Sequence, residues 1–305
     1  MRQVVAKHHP VAAALLISLG FAGLAACAGS DADRCDVAAD CASGYCRADH
    51  TCAPVAEADA GTDGPDQPDA AAGCQPDHDG TVTIDELPMM AGQVARFRIA
   101  TDATVDTAGQ QGPSGERTWT LAANLPGDQD ADAALLSPSG AWWAASLPTA
   151  SYAARLSIDS ALLGVMRKDA AGVALLGVVS PEAGVTRTEL TYDPPVPLLP
   201  TPLGPSSAWS TTATVTGLAS GISSFYTERY QSRVDAVGML ATPFGTFPVR
   251  RIATDLTRTV GVAVTTRRTF AFVAECYGTV ATITSQDYET GAEFTNAAEV
   301  WRLTP

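Results

Sequence analysis

From residue 88 onward, short runs of the chain alternate between apolar and polar positions. In "VARFRIA", Val94–Ala100, the side chains of Ala95, Phe97 and Ile99 fall on one side and those of Arg96 and Arg98 on the other. This is the period of two expected of a strand with one covered face. "YTERYQSRVDAV", Tyr226–Val237, repeats the pattern, with Tyr226, Tyr230, Val234 and Ala236 set against Thr227, Arg229, Arg233 and Asp235. "LLGVMRKDAAGVALLGVV", Leu162–Val179, reads as two apolar strands folded about a charged turn at Lys168–Gly172. Trp142 and Trp143, if they lie in a strand, face opposite sides. Gly, Pro and Asp punctuate the runs, and no sustained 3.6-residue period interrupts them. The pattern predicts a mainly β fold over residues 88–305, an antiparallel sheet closed as a sandwich or a half-barrel. These 218 residues suffice for a substantial core. The proline-rich "YDPPVPLLPTPLGP", Tyr192–Pro205, leaves open one domain or two modules divided near 192–205.

The first 87 residues have no such pattern. Arg2 and Lys7 make a basic start, Val11–Ala26 is apolar and uncharged, and Leu24-Ala25-Ala26 leads into Cys27. That is the order of an export signal, residues 1–26, and the run is too short to favour a membrane span. Leu-Ala-Ala-Cys resembles the lipobox of bacterial lipoproteins. The resemblance implies that Cys27 becomes the acylated, palmitate-bearing mature N-terminus in the cell envelope, and Ala28 after it favours the outer membrane. The alternative is an ordinary signal cut nearby, with Cys27 paired elsewhere.

Seven cysteines leave one over if the rest pair, and Cys27 is the natural odd one. Cys35, Cys41, Cys46 and Cys52 lie in a segment with almost no core-forming residues. Such a segment needs staples, so residues 27–52 are read as an anchor followed by two disulfides. Zinc is the alternative, although its ligands are usually spaced more closely. "DCASGYC", Asp40–Cys46, resembles the cysteine-rich segments that follow the anchor in lipoproteins of myxobacteria and related bacteria. Cys74 and Cys276 then remain in an oxidising compartment and are expected to pair, with two buried thiols as the alternative.

Net charge is −14, unevenly placed: residues 27–86 hold 14 acidic residues against two arginines, residues 87–305 hold 19 against 15. This argues against nucleic acid as a partner, because phosphate binding needs a basic surface. Residues 53–73 carry five acidic residues, no basic ones and one large apolar residue, Val55, and are expected to form a disordered acidic linker. The histidines are His8, His9, His50 and His78, so none falls in residues 88–305, where Lys168 is also the only lysine. Histidine-based triads and histidine-ligated metals within that region are thereby excluded. A carboxylate-dependent hydrolase of glycans remains an alternative, but no spacing singles out an acid pair. A passive structural surface protein is another.

"PLLPTPLGPSSAWS" (Pro197–Ser210) with "TPFGTFPVRRI" (Thr242–Ile252) resembles motifs of envelope proteins whose curved sheet is similar to the lipoprotein-carrier half-barrel. The resemblance implies a concave face able to shelter a hydrophobic ligand, with Trp209, Tyr226, Tyr230, Phe244, Phe247, Phe270 and Phe272 as candidates. Alternation alone makes the same residues ordinary core.

Chemistry is best supported at residues 74–87, in "CQPDHDGTVTIDEL". Aligning Gly80 with the turn glycine of an EF-hand places Gln75, Asp77, Asp79, Thr81, Thr83 and Glu86 at the ligand positions, with Val82 pointing to a core. Hard oxygens around a tight turn, closed by a bidentate Glu, suit calcium at low affinity. The stretch resembles EF-hand and dockerin-type loops, departing from them in its first ligand and in having no second loop. The expectation is a lipid-anchored envelope module that binds a partner protein or hydrophobic ligand and is stabilised by calcium.

Overall fold

The computed structural model describes residues 74–305 apart from Ser114. The export signal, Cys27, the four-cysteine segment and the linker lie outside the described residues. The strands are β1 (Val94–Thr104), β2 (Gln110–Gln111), β3 (Arg117–Thr120), β4 (Gln129–Ala134), β5 (Tyr152–Ser157), β6 (Ser160–Asp169) and β7 (Gly172–Val179). There follow β8 (Glu189–Pro200), β9 (Ala208–Ala219), β10 (Ile222–Ala241), β11 (Thr246–Val260), β12 (Ala263–Ala274), β13 (Gly278–Ser285) and β14 (Asn296–Leu303), with no helix among the described residues.

Twelve strands form one sheet in the order β4-β1-β14-β13-β12-β11-β10-β9-β8-β7-β6-β5. From β5 to β14 each strand pairs antiparallel with its successor, as the alternating pattern led one to expect. β2 and β3 lie off this path, and β3 runs parallel to β10. The outermost strands approach each other where Leu136 and Ala153 exchange backbone bonds of 2.7 and 2.9 Å. Glu299 of β14 reinforces the join, its carboxylate accepting bonds from the Ser157 hydroxyl at 3.0 Å and the Ile158 amide at 2.6 Å. The result is a single sheet nearly closed into a barrel-like shape. Closure is the usual way for a large antiparallel sheet to remove the open edges that invite aggregation.

Three apolar clusters pack against this sheet. One collects Tyr152, Leu175, Leu190, Val196, Val215, Val234 and Ile252 from β5 round to β11, together with Val82, Leu87 and Leu203. The opposite face of β11 and β12 carries Ala253, Phe270 and Phe272, which pack with Trp119 and Leu121 beneath the segment between β1 and β4. A third cluster puts Leu176 and Val179 of β7 under Trp143 and Leu147. β7 is therefore buried at all eight positions, which explains why its sequence is continuously apolar.

The expected β6–β7 hairpin turns at Ala170–Ala171, where the Asp169 carboxylate accepts the Ala171 amide at 2.9 Å. Trp142 and Trp143 lie in turns between β4 and β5 and belong to no strand. Trp143 is buried, whereas the Trp142 indole donates to the Ser180 carbonyl at 3.1 Å with Arg187 5.6 Å above its ring. Nor does the proline-rich stretch divide the region. It forms most of β8, pairing with β9 only as far as Asp193 and with β7 as far as Pro200. Its prolines fall where the β9 side no longer asks for amide donors. The described strands belong to one compact unit, Asp63–Pro305.

Candidate metal centre

Residues 74–87 are held against one end of the barrel by several independent ties. A disulfide joins Cys74 to Cys276, 202 residues away in the turn between β12 and β13, with the Cα atoms 5.5 Å apart. The Cys276 amide donates to the Glu86 carbonyl at 2.8 Å, and Val82 exchanges two backbone bonds with Leu203. The Lys168 ammonium donates to the Leu87 carbonyl, and burial pushes its pKa below the ordinary lysine value while Asp85 opposes the shift. Val82 points into the core, as the loop alignment requires.

Within this frame the loop folds on its own carboxylates. The Asp79 amide donates to Asp77 at 3.1 Å and the Thr81 amide to Asp79 at 2.6 Å, short side-chain turns typical of aspartate. The bend needs left-handed backbone at His78 (φ 55°) and Gly80 (φ 87°), which glycine adopts without steric cost. Glu275, next to the disulfide, is brought beside Asp77 and Asp79, and oxygens of the three carboxylates lie within 4.8 Å of one another. Glu275 is buried while both aspartates are exposed. One Glu275 oxygen accepts the His78 amide at 3.0 Å, and the other accepts both Arg250 terminal nitrogens at 3.2 Å. Arg250 also reaches the Gly80 carbonyl at 3.3 Å.

Glu86, aligned as the closing ligand, does not join this group. One of its oxygens accepts both the amide and the hydroxyl of Thr83 at 2.8 Å, which engages Thr83 as well, and the other oxygen is buried without a hydrogen-bond partner. Glu86 thus closes a local turn in the manner of a capping box. Gln75 is exposed. Of the acidic residues in the aligned set only Asp77 and Asp79 come together, and Glu275 supplies the third carboxylate from a distant strand end. The one trace of it in the sequence is its position beside Cys276, the partner expected for Cys74. Three carboxylates at such spacing repel one another, and a hard divalent cation relieves that repulsion.

The hydrophobic-ligand candidates do not line a common surface. Trp209, Tyr226 and Tyr230 pack against the cluster that runs from β5 to β11, whereas Phe247, Phe270 and Phe272 are fully buried on the opposite face, with Phe244 stacked on Phe247. Tyr226 and Tyr230 surround a carboxylate. Glu228 is fully buried, accepting the Tyr230 hydroxyl and, at 2.6 Å, Arg258 Nε, while the Arg258 guanidinium lies 5.5 Å over the Tyr226 ring. Burial, with Tyr192 and Glu228 adding, raises the Tyr230 hydroxyl pKa above the ordinary tyrosine value.

Other acidic groups also converge on arginines. Arg251 donates to Asp235 at 2.8 and 2.9 Å and to Glu293 at 2.7 and 3.1 Å, and it stands 4.2 Å over Phe270 and 5.4 Å over Trp119. A glycan-cleaving pair needs an acid and a base facing open space, and here a guanidinium occupies the gap between Asp235 and Glu293. Compared with protein-family models, curated proteins and solved structures, the chain gives no match.

Proposed function

We propose that the protein is a lipid-anchored module of the bacterial cell envelope that acts by binding and not by catalysis, and that a calcium ion held by Asp77, Asp79 and Glu275 stabilises it. The convergence of these three carboxylates beside the Cys74–Cys276 disulfide is the observation that supports the metal. Leu24-Ala25-Ala26-Cys27 supports the anchor. Arg250 competes for Glu275, so the affinity is set weak, with a dissociation constant on the order of 0.1–1 mM as in many extracellular calcium modules.

Calorimetry on the disulfide-intact mature chain should show one weak calcium site, removed by Glu275→Gln and by Asp79→Asn. Glu86→Gln should leave it in place, because Glu86 serves Thr83. No calcium-dependent heat or thermal shift at several millimolar calcium ends the metal reading. Loss of the site in Glu86→Gln but not in Glu275→Gln would restore the EF-hand arrangement. Separately, intact-mass analysis of membrane-extracted protein should show a chain that begins at acylated Cys27, and an unmodified Cys27 there ends the lipoprotein reading.

A further inference from the structure

Because β5 to β14 follow one another as a meander, successive connections fall alternately at the two ends of the barrel. The β6–β7, β8–β9, β10–β11 and β12–β13 connections share the end that carries the Cys74–Cys276 disulfide. The β7–β8, β9–β10, β11–β12 and β13–β14 connections share the other. On that second end large apolar side chains project from neighbouring tips: Val185 from the first, Ile222 and Phe225 from the next, and Val260, Val262 and Val264 from the third. Val262 is 102% exposed, Val185 91% and Phe225 71%.

These tips adjoin one another. The Gly221 amide donates to the Arg187 carbonyl at 2.8 Å, which joins the first two. β10 pairs with β11 up to Thr227 opposite Thr259, which sets Phe225 beside the turn that carries Val262. The Tyr288 amide donates to the Thr266 carbonyl at 2.7 Å, adding a second exposed ring, after Phe225, from the β13–β14 connection. The β9–β10 and β11–β12 tips are free of charge, since residues 208–227 and 259–266 contain no charged residue, whereas Asp159, Asp287 and Glu289 stand in other connections of this end. Half-exposed Arg258 lies just below the tips, while Glu182 and Arg187 share the β7–β8 connection and Asp287 is paired with Arg267 at 2.7 Å.

We infer that this end of the barrel docks on a lipid bilayer, its hairpin tips entering the interfacial layer. A rigid protein partner would need a surface shaped to these projecting tips, whereas a fluid interface closes around them as they stand. The chain's own linker offers them little apolar surface, because Val55 is the only large apolar residue in Ala53–Gly73. Aliphatic and aromatic tips of this kind suit the acyl boundary of a bilayer. The inference rests on the envelope reading only for which membrane is met. With residues 35–52 stapled, the stretches 27–35 and 52–74 still reach about 100 Å when extended, and β10, with 20 residues, is about 65 Å long. A chain anchored at Cys27 can therefore turn its far end to the same bilayer.

The test uses the mature chain carrying Cys27→Ala, hence unacylated, floated with vesicles of phosphatidylethanolamine and phosphatidylglycerol. The protein should rise with the vesicles. Phe225→Ser and Val262→Ser should each weaken association about tenfold, and Met90→Ser, an exposed apolar site outside the tips, should leave it unchanged. In Val262→Trp the indole emission should shift to the blue when vesicles are added. No association, or association indifferent to both serine substitutions, overturns the inference. So does a dimer in light scattering that Phe225→Ser dissolves without any vesicle binding, which would make a second copy the occupant. An unacylated Cys27 in cells would end the anchor reading and leave the vesicle result standing.

Discussion

Replacing both Cys74 and Cys276 by alanine should expose how much of the fold's stability comes from a single cross-link. The bond closes 202 residues, and chain-entropy arithmetic for a loop of that length gives roughly 5 kcal/mol of destabilised unfolded state. Cys276 is fully buried, so loss of its sulfur adds on the order of 1 kcal/mol. The native side should change little, because the Val82–Leu203 bridge, the Cys276–Glu86 backbone bond and the buried Leu87 still hold residues 82–87 in place. The expected loss is therefore roughly 4–6 kcal/mol, seen in urea unfolding followed by circular dichroism. The uncrosslinked chain exposes more surface when it unfolds, so its m-value should rise. At about 2–4 °C per kcal/mol, Tm should fall by about 10–20 °C. A loss below about 1 kcal/mol with unchanged m would refute the reasoning, since it would mean that the unfolded ensemble is compact at these residues even without the bond.

Other outcomes follow from buried polar groups and close backbones. Arg251→Met leaves Asp235 without its cation and Glu293 with Arg117 alone, 3.7 Å away, and should cost roughly 3–5 kcal/mol, whereas adding Asp235→Asn and Glu293→Gln should recover part of it; equal stability of single and triple variants would count against the clasp. Burial raises the Tyr152, Tyr192 and Tyr230 hydroxyls above the ordinary value of 10.0. Unfolded tyrosines ionise near that value, so folding stability should be whole below it and fall as pH rises beyond. In an alkaline absorbance titration these three should ionise only as the circular dichroism is lost; ionisation at ordinary pH with the fold intact would contradict this. A Cβ at Gly238 would stand 1.8 Å from the Arg117 carbonyl, so Gly238→Ala should push β3 off β10 and open residues 105–128 to protease, and unaltered proteolysis would show that the pairing tolerates the methyl group.

The fold was legible wherever burial has a simple period. "VARFRIA" and "LLGVMRKDAAGVALLGVV" became β1 and the β6–β7 hairpin because alternation and turn residues are local properties that tertiary packing had no reason to override. The Cys74–Cys276 bond was legible too, since cysteine count and compartment leave few partners. Faces were less so. Val234 and Ala236 share a side in the sequence pattern, yet a register shift between them turns Val234 to one cluster and Ala236 to the other.

The candidate site shows the same boundary between what is local and what is not. Asp77, Asp79 and Gly80 announce a tight acidic turn, because aspartate side chains bond to amides two residues on. No spacing announces Glu275. Its carboxylate arrives from the end of β12 because strand pairing and the disulfide carry it there, while Glu86, nearer in sequence, is taken by Thr83. The aromatic residues are divided for a related reason: alternation states that Phe247, Phe270 and Phe272 are covered, but only the curvature of the closed sheet decides which face covers them. Periodicity, turns and cysteine count follow from the chain's own chemistry over a few residues, whereas the third carboxylate and the choice of face depend on contacts between segments far apart in the chain, which form only when the barrel closes.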